Sequence, residues 1–250
     1  MPTMKDADAL NAVAYGPEWS ARWEAEFGDQ PDTQDAADYL AGLAAGRAVL
    51  ELGIGTGRLA LPLLDRELAV TGVDNSPWML EQLRAKPRGD EIQVVEGDFA
   101  DVKVDGEFGL AFISRFALSA LTTQEAQVQC FENVAAHLAP GGFFVVELMA
   151  PASGVLENGR AWASNVKPDA VSLFVSTADH VTQEMRTCHI RLSEREGIQL
   201  RPGAVRYVWP SELDLMARVA GMRLHERWSS WDKAPFTASS TRNISAYRKA

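Results

Sequence analysis

The feature that most constrains this chain is a run of alternate glycines set between two apolar segments. Residues 48–52 read as a short buried strand, residues 53–57 spell Gly-Ile-Gly-Thr-Gly, and the apolar stretch that follows reads as a helix of modest length. Glycines at 53, 55 and 57 permit a tight turn. They also remove the Cβ atoms that would hold a ligand away from the backbone. Two common ligand fingerprints fail here. A dinucleotide loop needs a third glycine three positions after the second, and Arg58 stands there. A phosphate-cradling loop needs Lys and Ser or Thr after its last glycine, and the chain has Arg58 and Leu59.

The rhythm downstream repeats the pattern. Residues 69–74, 92–98, 108–114 and 143–148 read as four more strands. Ser76 can cap a helix with Pro77 in its first position and Met79, Leu80 and Leu83 inward. A longer helix over 123–138 places Val128, Phe131, Val134 and Leu138 at helical intervals, and Pro140-Gly141-Gly142 terminates it. Strands alternating with helices imply a parallel sheet covered on both faces. Ligands of such sheets lie beyond the carboxyl ends of the strands. In the N-terminal segment, Trp19, Trp23 and Phe27 recur every four residues, which suggests one amphipathic helix, and a second runs from Asp32 or Thr33 to about Ala45. Residues 152–208 break the pattern and predict an antiparallel meander of three strands, with turns at 177–179, 193–197 and 202–203. A helix from Pro210, with Leu213, Met216 and Val219 on its apolar face, and two antiparallel strands near 222–228 and 243–248 complete the chain. The expected division is a helical lid over 1–46, a cofactor-binding core over 47–151, the β insertion over 152–208 as pocket wall or dimer contact, and closing elements over 209–250.

Composition narrows the partners. Acids outnumber bases 34 to 24, for a net charge of -10, so binding to nucleic acid through phosphate neutralisation is not expected. Two cysteines exclude a disulfide scaffold or a four-thiolate zinc site, and four scattered histidines give no metal spacing, so no metal is expected. No apolar run is long enough for a secretory signal or a membrane span, and the default address is the cytoplasm. Seven tryptophans against four tyrosines are unusual, and four of them fall in the second half. They suit either core packing or an indole-walled pocket.

The carboxylates that end strands sharpen the reading. Asp74, with Asn75 beside it, lies where an acid accepts both hydroxyls of a ribose. Asp98 can accept from an adenine amine, with Phe99 and Met79 or Trp78 against the ring, or it can simply cap the turn before Ala100. Ser114 ends the fourth strand, and Arg115 and Phe116 follow it at the same edge.

The string from Glu51 to Arg58 resembles the first motif of class I S-adenosylmethionine-dependent methyltransferases. Asp74, the Asp98-Phe99 pair and the Leu138–Gly142 turn match three further motifs of that family in order. The resemblance covers roughly residues 35–150. Ile54, where a small residue is common, and Gly109, where aspartate is common, depart from the pattern. The resemblance implies a Rossmann-like seven-stranded methyltransferase sheet with an N-terminal helical lid and a small antiparallel β insertion after strand five. It implies S-adenosyl-L-methionine as cofactor, with Glu51 ordering the loop or approaching the methionine end, over Gly53, Gly55 and Gly57. The segment from Tyr207 into the following helix resembles, more loosely, small-molecule methyltransferases such as the bacterial sugar N,N-dimethyltransferases. That subgroup often dimerises, so a homodimer is expected, and an early tyrosine, here Tyr15, commonly closes over the cofactor.

The expected reaction is in-line methyl transfer to an O or N nucleophile of a small molecule of bacterial secondary metabolism, in a pocket that excludes water. His180 and His189, both in the meander, are candidate bases, while His137 is expected to be structural. Arg115 can orient a substrate or close over the cofactor carboxylate, or form a surface ion pair with the helix after Thr122. Phe116, Trp162, Tyr207, Trp209 and Trp231 are candidate substrate walls, and Tyr15 and Trp19 a candidate lid. The competing classes are a non-methylating enzyme on the same scaffold, such as a cyclase or decarboxylase, and a non-enzymatic cofactor-binding protein. Nucleic-acid methylation is disfavoured further, because Ser114-Arg115-Phe116-Ala117 stands where an Asn/Asp-Pro-Pro-Tyr tetrad would mark it.

Overall fold

The computed structural model describes residues 7, 10–11, 16–28, 30–151 and 159–250. Helix α1 (Pro17–Trp23) runs into one turn of π-helix (Glu24–Gly28), and α2 spans Thr33–Ala44. The core follows as β1 (Val49–Leu52), α3 (Ala60–Leu64), β2 (Val70–Asp74), α4 (Pro77–Arg84), β3 (Gln93–Glu96), β4 (Phe108–Ile113), α5 (Gln124–His137) and β5 (Leu138–Met149). The meander comprises β6 (Arg160–Lys167), β7 (Ala170–Ala178), β8 (Glu184–Ser193) and β9 (Gly197–Arg206). Helix α6 (Pro210–Val219), β10 (Met222–Trp228) and β11 (Arg242–Lys249) close the fold.

Seven strands form one sheet in the order β10-β11-β5-β4-β1-β2-β3. The β1–β2, β1–β4, β2–β3 and β4–β5 pairs are parallel, and β11 returns antiparallel to β5. β1 and β4 are buried at every position, as apolar runs hidden on both faces should be. Alternation along β1 divides the core. Leu50 and Leu52 join the cluster of Phe131, Phe144 and Tyr247, while Val49 joins Leu63, Leu80 and Phe112 on the other face. Glu51 shares Val49's face, so a carboxyl is carried into an apolar interior.

Local signals account for several boundaries. The Ser76 hydroxyl accepts the Met79 N–H, and Pro77 begins α4. Thr123 caps α5 in the same way through Ala126. His137 is structural: its Nδ1 donates to the Asn133 carbonyl and its Nε2 accepts the Val104 N–H.

Other boundaries differ from the sequence reading. Pro140-Gly141-Gly142 does not separate helix from strand, since β5 begins at Leu138, directly after α5. Those residues form an irregularity within β5, where a Cβ on Gly142 would meet the Ala139 carbonyl at 2.9 Å. The meander has four strands rather than three, the added one being β6. Pro202 and Gly203 lie inside β9 and not in a turn. β9 is an edge strand, so the N–H that Pro202 lacks is not needed by a further neighbour. Val219 is exposed, and Ala217 takes the inward place on α6.

A buried polar cluster joins the meander to the core. Arg206 donates to Gln127 at 2.5 Å, Gln183 at 3.0 Å and Glu212 at 2.7 Å. These bonds run from β9 to α5, to the β7–β8 turn and to α6, so they fix the second sheet against the first. Among the described residues no helix is long and apolar enough to cross a membrane.

Candidate active site

The glycine loop is built by backbone hydrogen bonds to the next strand. The N–H groups of Gly53 and Ile54 both donate to the Val73 carbonyl. Gly53, Gly55 and Gly57 have φ of 75°, 53° and 79°, a region that side chains disfavour. At Gly57 there is also no room, because a Cβ would lie 2.4 Å from the Leu83 side chain. Asp74 closes the loop from the end of β2. One carboxylate oxygen accepts the Gly55 N–H at 2.8 Å and the other accepts the Ser76 N–H at 2.9 Å. Burial outweighs these bonds and raises the Asp74 pKa. Each oxygen keeps acceptor capacity for a further donor. Asp98 accepts the Ala100 N–H at 2.8 Å and so caps its turn. The Phe99 ring edge lies 3.9 Å from the position of a Cβ on Gly53, which places the ring over the loop. Met79 is buried, whereas Trp78 and Asn75 are exposed beside the loop.

A network of charges crosses the carboxyl edge of the sheet. Glu51 is 2% exposed, and its Oε2 has no hydrogen-bond partner. Burial pushes its pKa up to about 8, against the pull of Arg58 and with a further push from Asp74. The Arg58 side chain is 8% exposed. Its Nη1 reaches Thr33 Oγ1 at 3.3 Å and Asp32 at 3.8 Å, and its Nη2 is without a partner. Asp32, which precedes α2, makes no cap bond there and pairs instead with Arg242 at 2.6 Å. Arg242 also reaches Glu147 at 3.2 Å, and Glu147 accepts the Arg115 N–H at 2.8 Å. Arg115 and Phe116 have φ of 52° and 63°, two successive non-glycine residues in the left-handed region just past β4. Such strain persists only where the surroundings enforce it, and here the buried Glu147 carboxylate holds the first of the two.

An aromatic surface continues from this edge. The Arg115 guanidinium lies 4.7 Å above the Phe27 ring, and burial lowers its pKa, with Arg58 adding to the effect. Phe27 packs on Trp23 at 4.7 Å and Trp19 at 6.1 Å. Arg201 of β9 lies 3.6 Å above Trp19. Cross-strand pairing places Arg201, His189, Phe174 and Trp162 in one row on one face of the second sheet. Trp162 contacts Phe174 and Phe174 contacts His189, each at 4.6 Å. Burial and the nearby Arg201 push the His189 pKa down to about 4, so its imidazole is neutral at physiological pH.

Residues 49–142 match the model of the methyltransferase domain family. The chain is 38% identical to the CcbJ methyltransferase from Streptomyces caelestis, with 95% of this chain and 98% of that one aligned at a TM-score of 0.89. The chain is a class I S-adenosylmethionine-dependent methyltransferase. It is also 29% identical over 197 residues to the cypemycin N-terminal methyltransferase of a Streptomyces species, covering 78% of this chain and 80% of the relative. An S-adenosylmethionine-bound amino pentose methyltransferase from Micromonospora echinaspora, of calicheamicin biosynthesis, shares the fold at 20% identity and a TM-score of 0.74, with 94% and 98% covered. The cofactor of this methyltransferase is S-adenosyl-L-methionine.

The structure distributes the remaining candidates of the methyltransferase unevenly. Trp231 does not wall a pocket. It is 3% exposed and packs on Tyr39 at 5.7 Å within the core, because the 229–241 loop folds back over α2. His180 is exposed in the β7–β8 turn, where its Nδ1 meets the Tyr207 hydroxyl at 3.1 Å. Tyr207 is buried and stacks edge-on with Trp209. That trio lies at the N-terminus of α6. Trp209 lines a separate cavity of about 320 Å³ with Ala150, Pro151 and Phe236. Arg115 has Glu147 and Asp32 as charged neighbours rather than a partner on α5. Ser114 is buried. Tyr15 lies outside the described residues. Sequence reasoning missed Asp32, Arg58, Glu147, Arg201 and Arg242 as members of the site. Arg58 alone carried a local signal, as the residue directly after the last loop glycine.

Proposed function

We propose that this methyltransferase transfers the methyl group of S-adenosylmethionine to an amine of a small molecule in bacterial secondary metabolism. The observation that carries the amine is His189. It is the histidine on the aromatic surface, and a pKa near 4 makes it a poor base at neutral pH. A neutral amine attacks through its own lone pair and sheds a proton afterwards, so it needs no strong base. The similarity to an N-terminal methyltransferase supports the same choice.

The residues present fit the cofactor. Glu51 Oε2 and Arg58 Nη2, both buried and unpartnered, suit the ammonium and carboxylate of a bound amino acid. Asp74 has acceptor capacity for the ribose hydroxyls. Phe99 and Trp78 offer apolar faces to the adenine, with Asn75 and the Met79 backbone beside them and Asp98 for its amine. When bound, the cofactor supplies a sulfonium-activated methyl group. The chain's task is then placement and exclusion of water. Arg115, Phe116, Trp19 and Trp162 shape that space in our reading, with residues 1–46 as lid, 47–151 as cofactor core, 152–208 as wall and 209–250 as closing elements. The net charge of -10 supports a partner other than nucleic acid, and the two free cysteines suit the cytoplasm.

The test is a competition. Purified protein is given methyl-labelled cofactor and a mixture of amine, phenol and alcohol acceptors from natural-product scaffolds, and products are read by mass spectrometry. Label on nitrogen supports the proposal. Preferential label on oxygen overturns it.

A further inference from the structure

Arg115 is half-buried just past β4, and among the described residues no oxygen accepts from its guanidinium. It rests on the Phe27 ring at 4.7 Å, which offers a π face but no lone pair to an N–H. The charges around it do not balance. Asp32 pairs with Arg58 at 3.8 Å and with Arg242 at 2.6 Å. Glu147 gives one oxygen to Arg242 at 3.2 Å and the other to the Arg115 backbone N–H. Asp74 is turned to the Gly55 and Ser76 N–H groups. Three guanidinium groups therefore share two carboxylates, and Arg115 is the one whose side chain has none. A bound sulfonium adds a further positive charge. The backbone is also held under strain at this point, with Arg115 and Phe116 both at positive φ. Strain of this kind gathers at ligand clamps.

We propose that Arg115 binds a carboxylate of the acceptor, so that the acceptor is an amino acid or a larger natural product that keeps a free amino-acid carboxyl. The amine of that acceptor rests on the function proposed above, whereas the carboxylate does not. The cofactor brings one carboxylate of its own, and the buried, unpartnered Nη2 of Arg58 suits it at the loop after β1. Arg115 follows β4, the strand on the β5 side of β1, and is left for a second anion. A planar guanidinium matches a carboxylate with two parallel N–H bonds. A phosphate monoester, at a charge of about −1.5 to −2, would exceed the single unbalanced charge. The proposal also gives Glu147 a task. By holding the Arg115 N–H it keeps the strained backbone in place and so aims the side chain, while its own charge is spent on Arg242.

The test uses four probes on the full chain loaded with S-adenosylhomocysteine: phenylalanine, phenyllactate and the carboxamide of each, with binding read by ligand-detected NMR. The phenyllactate pair has no amine, so its preference reports the carboxylate alone. The wild type is expected to bind each acid on the order of tenfold more tightly than its amide, and Arg115→Asn to lose that preference while S-adenosylhomocysteine affinity stays within a factor of about two. Asparagine tolerates positive φ, so the variant removes the charge without new backbone strain. Should it fail to fold, Arg115→Lys carries the test: it keeps the charge and loses the fork, and its preference is expected to be smaller than that of the wild type. Acid and amide treated alike, a full preference in either variant, or a cofactor affinity that falls in step with it overturns the proposal. Turnover with labelled S-adenosylmethionine separates this proposal from the amine. Nitrogen label on phenylalanine and its amide at equal rates leaves the amine standing and overturns the carboxylate. An Arg115-dependent preference for the acids with label on the phenyllactate hydroxyl alone does the reverse. Label on a carboxylate oxygen also overturns the proposal, because the group assigned to Arg115 would then be the nucleophile.

Discussion

Glu51→Gln tests the electrostatics of the cofactor end. In the free protein Glu51 is buried, and its pKa is raised from 4.5 to about 8. At about 1.4 kcal/mol per pH unit, that places the charged carboxylate on the order of 3–5 kcal/mol above its cost in the unfolded chain. The sign follows from linkage: a raised folded-state pKa gives stability that is intact below pH 4.5 and is lost as pH rises toward 8. Glutamine does not titrate, so the stability of the variant relative to wild type should climb across that window. At pH 7 about nine in ten free molecules carry a protonated Glu51. An ammonium brought beside it lowers its pKa and expels the proton. Calorimetry of S-adenosylmethionine binding in two buffers of different ionisation enthalpy should therefore show release of close to one proton, a signal that Glu51→Gln abolishes. Loss of the charged hydrogen bond should weaken binding by about 1.5–3 kcal/mol, roughly 10- to 150-fold. Unchanged proton release together with unchanged affinity in the variant would refute the assignment of Glu51 to the ammonium.

Arg58→Met should weaken S-adenosylmethionine binding by about 10- to 100-fold, yet leave binding of methylthioadenosine, which lacks the amino acid, within a factor of about two; equal losses for both ligands would show that Arg58 acts only on the fold. His189→Gln should keep most of the methyl-transfer rate, with no inflection near pH 6.5 in either enzyme, because the imidazole is already neutral there; a loss beyond about 100-fold would restore His189 as a base. Trp231→Ala should cost about 3–5 kcal/mol in urea unfolding through the cavity it leaves, with acceptor KM unchanged; a raised KM at full stability would return Trp231 to the pocket.

The cofactor half of the site was legible because its signals are local. Gly53, Gly55 and Gly57 are adjacent to the strand they terminate, and Asp74 ends the next strand, so periodicity and spacing alone located them. Asp98 was read as both adenine acceptor and turn cap, and its bond to Ala100 belongs to the second reading. The acceptor side was less legible. Trp231 and Trp162 look alike in the sequence, but a loop carries one into the core while a strand register turns the other toward Phe174.

By itself the sequence determined the order of strands and helices in the first sheet, the glycine loop and the acids at the strand ends. Each of these rests on hydrophobic period, on a positive φ or on a cap, which are properties of a few neighbouring residues. Only the tertiary structure brought Asp32 to Arg242, across 210 positions, and set Glu147 beneath Arg115. Only cross-strand register gave the second sheet its row of Trp162, Phe174, His189 and Arg201. Those pairings depend on which strands lie side by side, and no local pattern of residues encodes that.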